Sequence, residues 1–394
     1  MPTQAWSMKI YEDGASLSGS GRLRKTQTCG LFSRRKGSPV RTNHYISLDV
    51  HCEFTEIAVV TGTGQITKRH RCKTAIPSLL EAITGIAHPR YVTFEEGPMA
   101  EWLFRSLSPH ADEVLVCEPR RNHLIAKDSE KDDPIDAEKL AQLYRGGYLK
   151  RVHHPHSLDR TIFKQHVGLY HDRVRDRVRA VNYLIAQFRH YGVFIKEDDF
   201  KEQEDRKSLL ECLPASNGLR EDLACLWLGY DMHIQLEGFF RQELVRQARQ
   251  IEPIRRFQEL PGIGWIRAAT FYAYIDTPWR FKSKSALWKY IGIGLERRHS
   301  GSGPVHLRVA KQSNRRLKSM ILGAALSAIT QGANPFHDQY RHWLNEGGLS
   351  PHNARRNVAR SQAATLWGMW KNGNDYRPDW VGVSVGSRQA SPVE

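Results

Sequence analysis

No two cysteines in this 394-residue chain are spaced C-x-x-C. The six present, Cys29, Cys52, Cys72, Cys117, Cys212 and Cys225, are scattered, which argues against structural zinc and against a disulfide framework. No apolar run approaches the ~20 residues that a membrane helix needs, and the N-terminus lacks the apolar stretch of a secretory signal. No membrane partner is expected, and the sequence suits a reducing cytoplasm, where nucleoid DNA is. Acidic residues are in deficit: 42 against 58 Lys and Arg, a formal charge of +16. That excess implies a polyanionic partner, because each cation set on a phosphate releases a condensed counterion. Among 18 histidines, His153, His154 and His156 fit no zinc spacing and read as surface or RNA-contacting residues.

The length implies two or three domains. Residues 1–41, rich in Gly, Ser, Arg and Lys, read as a flexible basic arm. Order begins at Tyr45, where YISLDVHC, TEIAVVTG and GQITKRHRCK form a three-strand meander. A helical pattern in IPSLLEAITGIA, the strand YVTFEE, a helix in MAEWLFRSL, the strand EVLVCEP and a helix in DDPIDAEKLAQLYRGG follow. This βββαβαβα order is that of an α/β RNase H-like domain over 42–155. Over 156–252 the pattern becomes a coiled-coil helical stalk. Phe163, Val167, Val174, Val178, Val181, Ile185 and Phe188 step along a first long helix, the charged stretch Asp199–Arg220 reads as a turn region, and a second helix runs from Leu223 to Ile251. A mainly α domain is expected over 253–378 and a flexible tail over 379–394.

Four acids stand out. Asp49 follows the apolar strand YISL, Glu95 follows VTF, and Asp133 and Asp136 share one face at the start of a helix. Glu96 competes with Glu95, because adjacent strand residues face opposite sides. Carboxylates gathered so closely repel one another unless divalent cations neutralise them. Magnesium, with manganese as substitute, suits oxygen ligands, and the chemistry implied is metal-assisted phosphoryl transfer. Taken singly, Asp133 and Asp136 read as helix-capping acids that favour the dipole. Further on, LPGIG at Leu260–Gly264 resembles the turn of a helix-hairpin-helix, with Gly262 and Gly264 letting backbone amides approach a phosphate. Lys282, Lys284, Arg297, Arg298, Arg308, Lys311, Arg315, Arg316, Arg355 and Arg356 are candidate phosphate contacts. Trp265, Trp279, Trp288, Trp343, Trp367 and Trp370 read as core residues. The loop HSGSG offers Ser300 and Ser302; composition alone makes it a flexible linker.

SLDV at Ser47–Val50, FEEG at Phe94–Gly97, KDDPIDA at Lys131–Ala137, LPGIG and the SGSG loop together resemble the successive signatures of the DEDD transposases of the insertion sequence 110 family, over residues 44 to 377. The resemblance implies a RuvC-like domain whose Asp49, Glu95, Asp133 and Asp136 bind magnesium, a coiled-coil linker, and a C-terminal transposase domain with a nucleophilic serine. The family's signature falls best on Ser300, implying a phosphoserine link to DNA. It also implies a structured guide RNA, encoded by the element, that pairs with donor and target DNA. Asp132 stands where the family has Thr, and Glu95-Glu96-Gly97-Pro98 replaces its E-A-T-G segment. The working site is expected between domains or protomers of a homo-oligomer, a dimer or tetramer joined through the stalk. The competing readings are a RuvC-like nuclease in which water attacks, and a non-catalytic nucleic-acid-binding protein. An actin-like sugar kinase shares the sheet order but needs a phosphate-binding glycine loop, which does not follow Asp49.

Overall fold

The computed structural model describes residues 42–119, 133–155, 157–215, 218–298, 306–309 and 313–381. The chain divides into two compact units, Met1–Val152 and His153–Glu394. The basic arm and residues 382–394 of the expected tail lie outside the described residues.

In the first unit, β1 (His44–Val50), β2 (Phe54–Thr61) and β3 (Ile66–Lys73) form an antiparallel meander. β4 (Arg90–Glu95) joins β1 in parallel, and β5 (Glu113–Cys117) joins β4 in parallel. The resulting order, β3-β2-β1-β4-β5, is compatible with an RNase H-like sheet. Helix α1 (Ile76–Thr84) leads from the meander into β4, and α2 (Ala100–Leu107) leads from β4 towards β5. α3 (Asp133–Arg145) follows β5.

Period-two alternation sorts these strands onto two faces. Ile46, Leu48, Val92, Phe94, Val114 and Val116 share a core with Leu79 and Ile83 of α1 and Leu103 and Leu107 of α2. Each such side chain contributes roughly 1.5–3 kcal/mol when buried. The opposite face meets α3 through Leu115, Cys117, Leu140 and Tyr144, with Tyr45 and Tyr91 beside them. Tyr45 stacks on Tyr91 at 5.2 Å, and Tyr144 meets Tyr45 edge-on at 5.5 Å. Burial pushes the Tyr144 phenol above its usual range. Polar ties fix how α3 lies: Ser47 Oγ donates to the Ala137 carbonyl, Arg69 pairs with Glu138, and Gln142 Nε2 donates to the Gly64 carbonyl at 2.8 Å. Ala137 is therefore level with the middle of β1, whereas Gln142 reaches the β2–β3 turn, next to the start of β1. Helix α3 thus runs antiparallel to β1 and brings its N-terminus to the strand's C-terminal end. The edge strand β3 exposes Lys68, Arg69, His70 and Arg71, charges that discourage pairing with another sheet edge.

In the second unit, α4 (Leu158–His190) and α6 (Leu219–Ala248) form an intrachain antiparallel hairpin, with α5 (Gln203–Glu211) between them. The buried seam of α4 runs through Phe163, Val167, Tyr170, Val181, Leu184 and Phe188, with Val174 partly buried. Continuing these three- and four-residue steps places Arg177 in the seam, where the expected stripe had Val178, which is 43% exposed. Arg177 Nε donates to Glu237 of α6 at 2.7 Å, and its Nη1 pairs with Glu197. The distal end has its own core of Phe188, Phe200, Leu213, Trp227 and Tyr230. The expected turn region contains α5, whose apolar face is only Leu209 and Leu210; Arg206 secures it with two 2.7 Å bonds to Asp231.

At the base of the hairpin, Phe163, Val167, Leu244 and Ala248 share one core with the C-terminal helices, so hairpin and helices lie in one compact unit. These helices are α7 (Glu252–Phe257), α8 (Trp265–Ile275), α9 (Lys284–Ile291), α10 (Arg315–Thr330), α11 (Pro335–Asn345) and α12 (Pro351–Asn372). Two short strands, β6 (Leu295–Arg298) and β7 (His306–Val309), pair antiparallel around the Ser-Gly loop. At four residues each they are too short for an alternation to be read, which is why this stretch was expected as loop.

His153 proves to be a structural residue: its Nε2 lies 2.6 Å from Asp276, which also accepts from Arg160 Nε at 3.0 Å. Asp276 has φ 68°, and the Thr277 N–H closes back on the Ile275 carbonyl at 2.9 Å, the strained positive-φ form of a γ-turn. His153 and Arg160 together hold the turn in place. His156 lies outside the described residues.

Candidate active site

Asp49 projects from the C-terminal part of β1 on the face that α3 covers, sharing parity with Tyr45 and Ser47. Its side chain is 31% exposed, and Oδ2 lies 3.2 Å from His51 Nε2. The parallel register pairs Ser47 with Thr93 and Leu48 with Phe94. Carried on by one residue, it sets Glu95 beside Asp49 on the same face and turns Glu96 to the other. Both glutamates are exposed. Asp136 lies one residue before Ala137, whose carbonyl is tied to Ser47, so the first turns of α3 cover the end of β1 that carries Asp49. Asp133 opens that helix, and its side chain lies outside the described set.

The sheet and α3 therefore bring Asp49, Glu95 and the Asp133–Asp136 turn to one end of one face. Among the described residues, no group of three His, Cys, Asp or Glu side chains is assembled closely enough to hold a metal ion. The donors at this end are carboxylate oxygens, the hard ligands that magnesium or manganese takes. Their chemistry fits a divalent ion.

Glu56 was missed by sequence reasoning. It sits directly across from Asp49 on β2, 6% exposed, and pairs with Arg71 of β3. A lone glutamate inside TEIAVV was the available signal. The ion pair compensates its burial. Next to it, Arg71 lies 4.4 Å from the Phe54 ring centre, and the His51 ring stacks on Phe54 at 4.8 Å.

In the second unit, Ser300, Ser302 and Lys311 lie outside the described residues. Arg297, Arg298 and Arg308 belong to the β6–β7 ribbon that flanks the serines, with their side chains outside the described set. Lys282, Lys284 and Arg315 are exposed, as phosphate contacts require. Arg316 is not available in that way: its guanidinium donates to the Tyr274 hydroxyl at 2.6 Å and pairs with Asp172. Gly262 is buried, and its N–H donates to Gln331 Oε1 at 3.0 Å, so it serves packing rather than a phosphate; Gly264 is exposed. Trp279, expected in the core, is 71% exposed, with Lys371 Nζ 5.0 Å from its ring centre. Among the described residues, no helix is long and apolar enough to cross a membrane.

Two family models match the chain. A DEDD transposase model of the insertion sequence 110 type matches residues 46–193, which include Asp49, Glu95, Asp133 and Asp136. A second model, described as transposase of the IS116/IS110/IS902 family, matches residues 254–341, which include LPGIG and the Ser-Gly loop. The chain is also similar to the transposase for insertion sequence element IS1111A of Coxiella burnetii (strain RSA 493 / Nine Mile phase I), 23% identical over 367 residues, covering 91% of this chain and 97% of that protein.

Proposed function

Because this chain belongs to the IS110 family of DEDD transposases and is a DNA recombinase, we propose that it cuts and exchanges DNA strands with Ser300 as nucleophile and with Asp49, Glu95, Asp133 and Asp136 as ligands of divalent magnesium. The observation that carries the reading is the β1–β4 register combined with the docking of α3, which set Asp49 and Glu95 on the face that the Asp136 turn covers. A bound ion would neutralise these carboxylates and stabilise the charge that builds on the scissile phosphate. Ser300 Oγ gives up its proton and bonds to phosphorus, the phosphodiester P–O bond breaks, and the departing strand end takes a proton as a free hydroxyl. The exposed cations Lys282, Lys284 and Arg315 hold the DNA backbone and withdraw when salt competes.

The proposal extends to partners. Donor and target DNA are selected by pairing with a structured guide RNA, and the enzyme works on the nucleoid as a homo-oligomer, a dimer or tetramer joined through the α4–α6 hairpin. Its excess of cations suits two polyanions at once.

The test is a denaturing gel of protein incubated with labelled element-end DNA, guide RNA and magnesium. Wild type yields a protein–DNA adduct, while Ser300→Ala and Asp49→Asn yield none. Cleavage by Ser300→Ala without an adduct would replace serine with water as the attacking group.

A further inference from the structure

Where the end of α6 meets the first turn of α8, the second unit has an open cavity of about 760 Å3, within the ~300–1,000 Å3 range of ligand sites. Four arginines line it, Arg241, Arg246, Arg249 and Arg267, together with Trp265. Not all of this charge is compensated. Arg246 is bound to Glu243 through 2.6 and 2.8 Å bonds, and Glu243 also accepts from Gln247 at 2.8 Å. These bonds, the one from Arg246 foremost, hold the Glu243 carboxyl down to about 2. Arg267 turns inward, donating to the Gly262 carbonyl at 2.6 Å and to Ser327 Oγ at 2.8 Å. Arg241 and Arg249 make no ion pair among the described residues; both are exposed, and the Arg249 guanidinium lies 5.6 Å from the Trp265 ring centre.

Cations crowded in this way repel one another and cost stability unless an anion joins them. The first turn of α8 favours the same sign of ligand. No side chain caps it, its N-cap Gly264 is exposed, and open space lies where a Cβ would stand. Guanidinium groups beside an aromatic face form the combination that grips a single strand, with phosphates on the cations and a base on the ring.

We propose that this cavity binds single-stranded nucleic acid, with successive phosphates on Arg241 and Arg249 and an unstacked base against Trp265. The nature of the anion rests on the reading of the chain as a nucleic-acid enzyme, but the residues that line the cavity include neither the carboxylates nor Ser300.

Fluorescence anisotropy of labelled 12-nucleotide strands, one deoxyribo and one ribo, tests it on the full chain. Replacing both arginines, Arg241→Gln with Arg249→Gln, should weaken single-strand binding at least tenfold and lower the slope of log K against log salt by about 1.4, which is ~0.7 for each phosphate that the variant leaves without its cation. The strand bound more tightly by wild type identifies DNA or RNA as the occupant. Because the substitutions relieve repulsion between exposed groups, the melting temperature should not fall, which separates damage to the site from damage to the fold. Unchanged affinity and slope would overturn the proposal, as would a free mononucleotide that binds as tightly as the strand. A wild-type protein that forms no Ser300 adduct, yet binds the strand less tightly once both arginines are replaced, would remove the catalytic reading and leave this one. An adduct with binding indifferent to both arginines would do the reverse.

Discussion

His171 shows how a single half-buried side chain links this fold to pH. The Thr270 hydroxyl gives its one proton to the Ile266 carbonyl at 2.7 Å, so it accepts from His171 Nε2–H at 2.9 Å. Burial first, and then the Arg316 charge with a lesser push from Arg175, lower the imidazole from 6.5 to about 4, against the opposing pull of Asp172. The unfolded chain therefore takes up a proton near pH 6.5, whereas the folded chain resists until about pH 4. The resulting stability is complete above about pH 6.5 and declines on acidification towards pH 4, by up to about 3 kcal/mol at ~1.4 kcal/mol per unit. Denaturant melts across pH 4–7 should show His171→Gln flattening that limb; an unchanged slope would assign it to other groups. Other residues are legible in the sequence only as alternatives. Strand parity leaves Glu95 and Glu96 equivalent, because one strand carries no information about its neighbour's register. Only the pairing of β4 with β1 sets Glu95 on the side of Asp49. The partners of His153 and Arg316, 123 and 144 residues away in sequence, likewise have no local signature.

At the scale of elements, helices and strands with a strong period are legible, and those without one are not. The edge strand β3 is mostly charged, whereas β1, β2, β4, β5 and the long helices carry apolar residues at their expected spacing. Helix α5 and the β6–β7 ribbon do not, being respectively charged and short. The expected seam of α4 is out of step by one residue at Val178 alone, because the partly buried Arg177, paired with Glu237 and Glu197, interrupts the apolar stripe there. LPGIG is legible as a tight connection, but its two glycines do different work. Gly262 has φ 80°, and a Cβ there would lie 2.2 Å from the Ala324 carbonyl oxygen and 2.9 Å from the Ala328 nitrogen on α10. Gly264 has φ −93° and open space. Gly262→Ala should therefore cost roughly 3 kcal/mol, from left-handed strain and overpacking together, while Gly264→Ala stays within about 0.5 kcal/mol. Equal melting temperatures for the two variants would show that α10 yields where its backbone meets Gly262.

For the molecule as a whole, the net charge of +16 and the division into an α/β unit and a mainly helical unit are visible in composition and periodicity. Bringing the candidate metal ligands together is a property of topology: Asp49 and Glu95 become neighbours because β4 returns parallel to β1, and the Asp136 turn joins them because α3 runs back across the same face. The proposed chemistry depends on those acids sharing a divalent ion. Electron paramagnetic resonance of the full chain titrated with manganese tests this without requiring turnover. Wild type and Glu96→Gln should bind the ion tightly, and Asp49→Asn and Asp136→Asn should each weaken binding at least tenfold. Manganese held as tightly by both aspartate variants as by wild type would contradict the account.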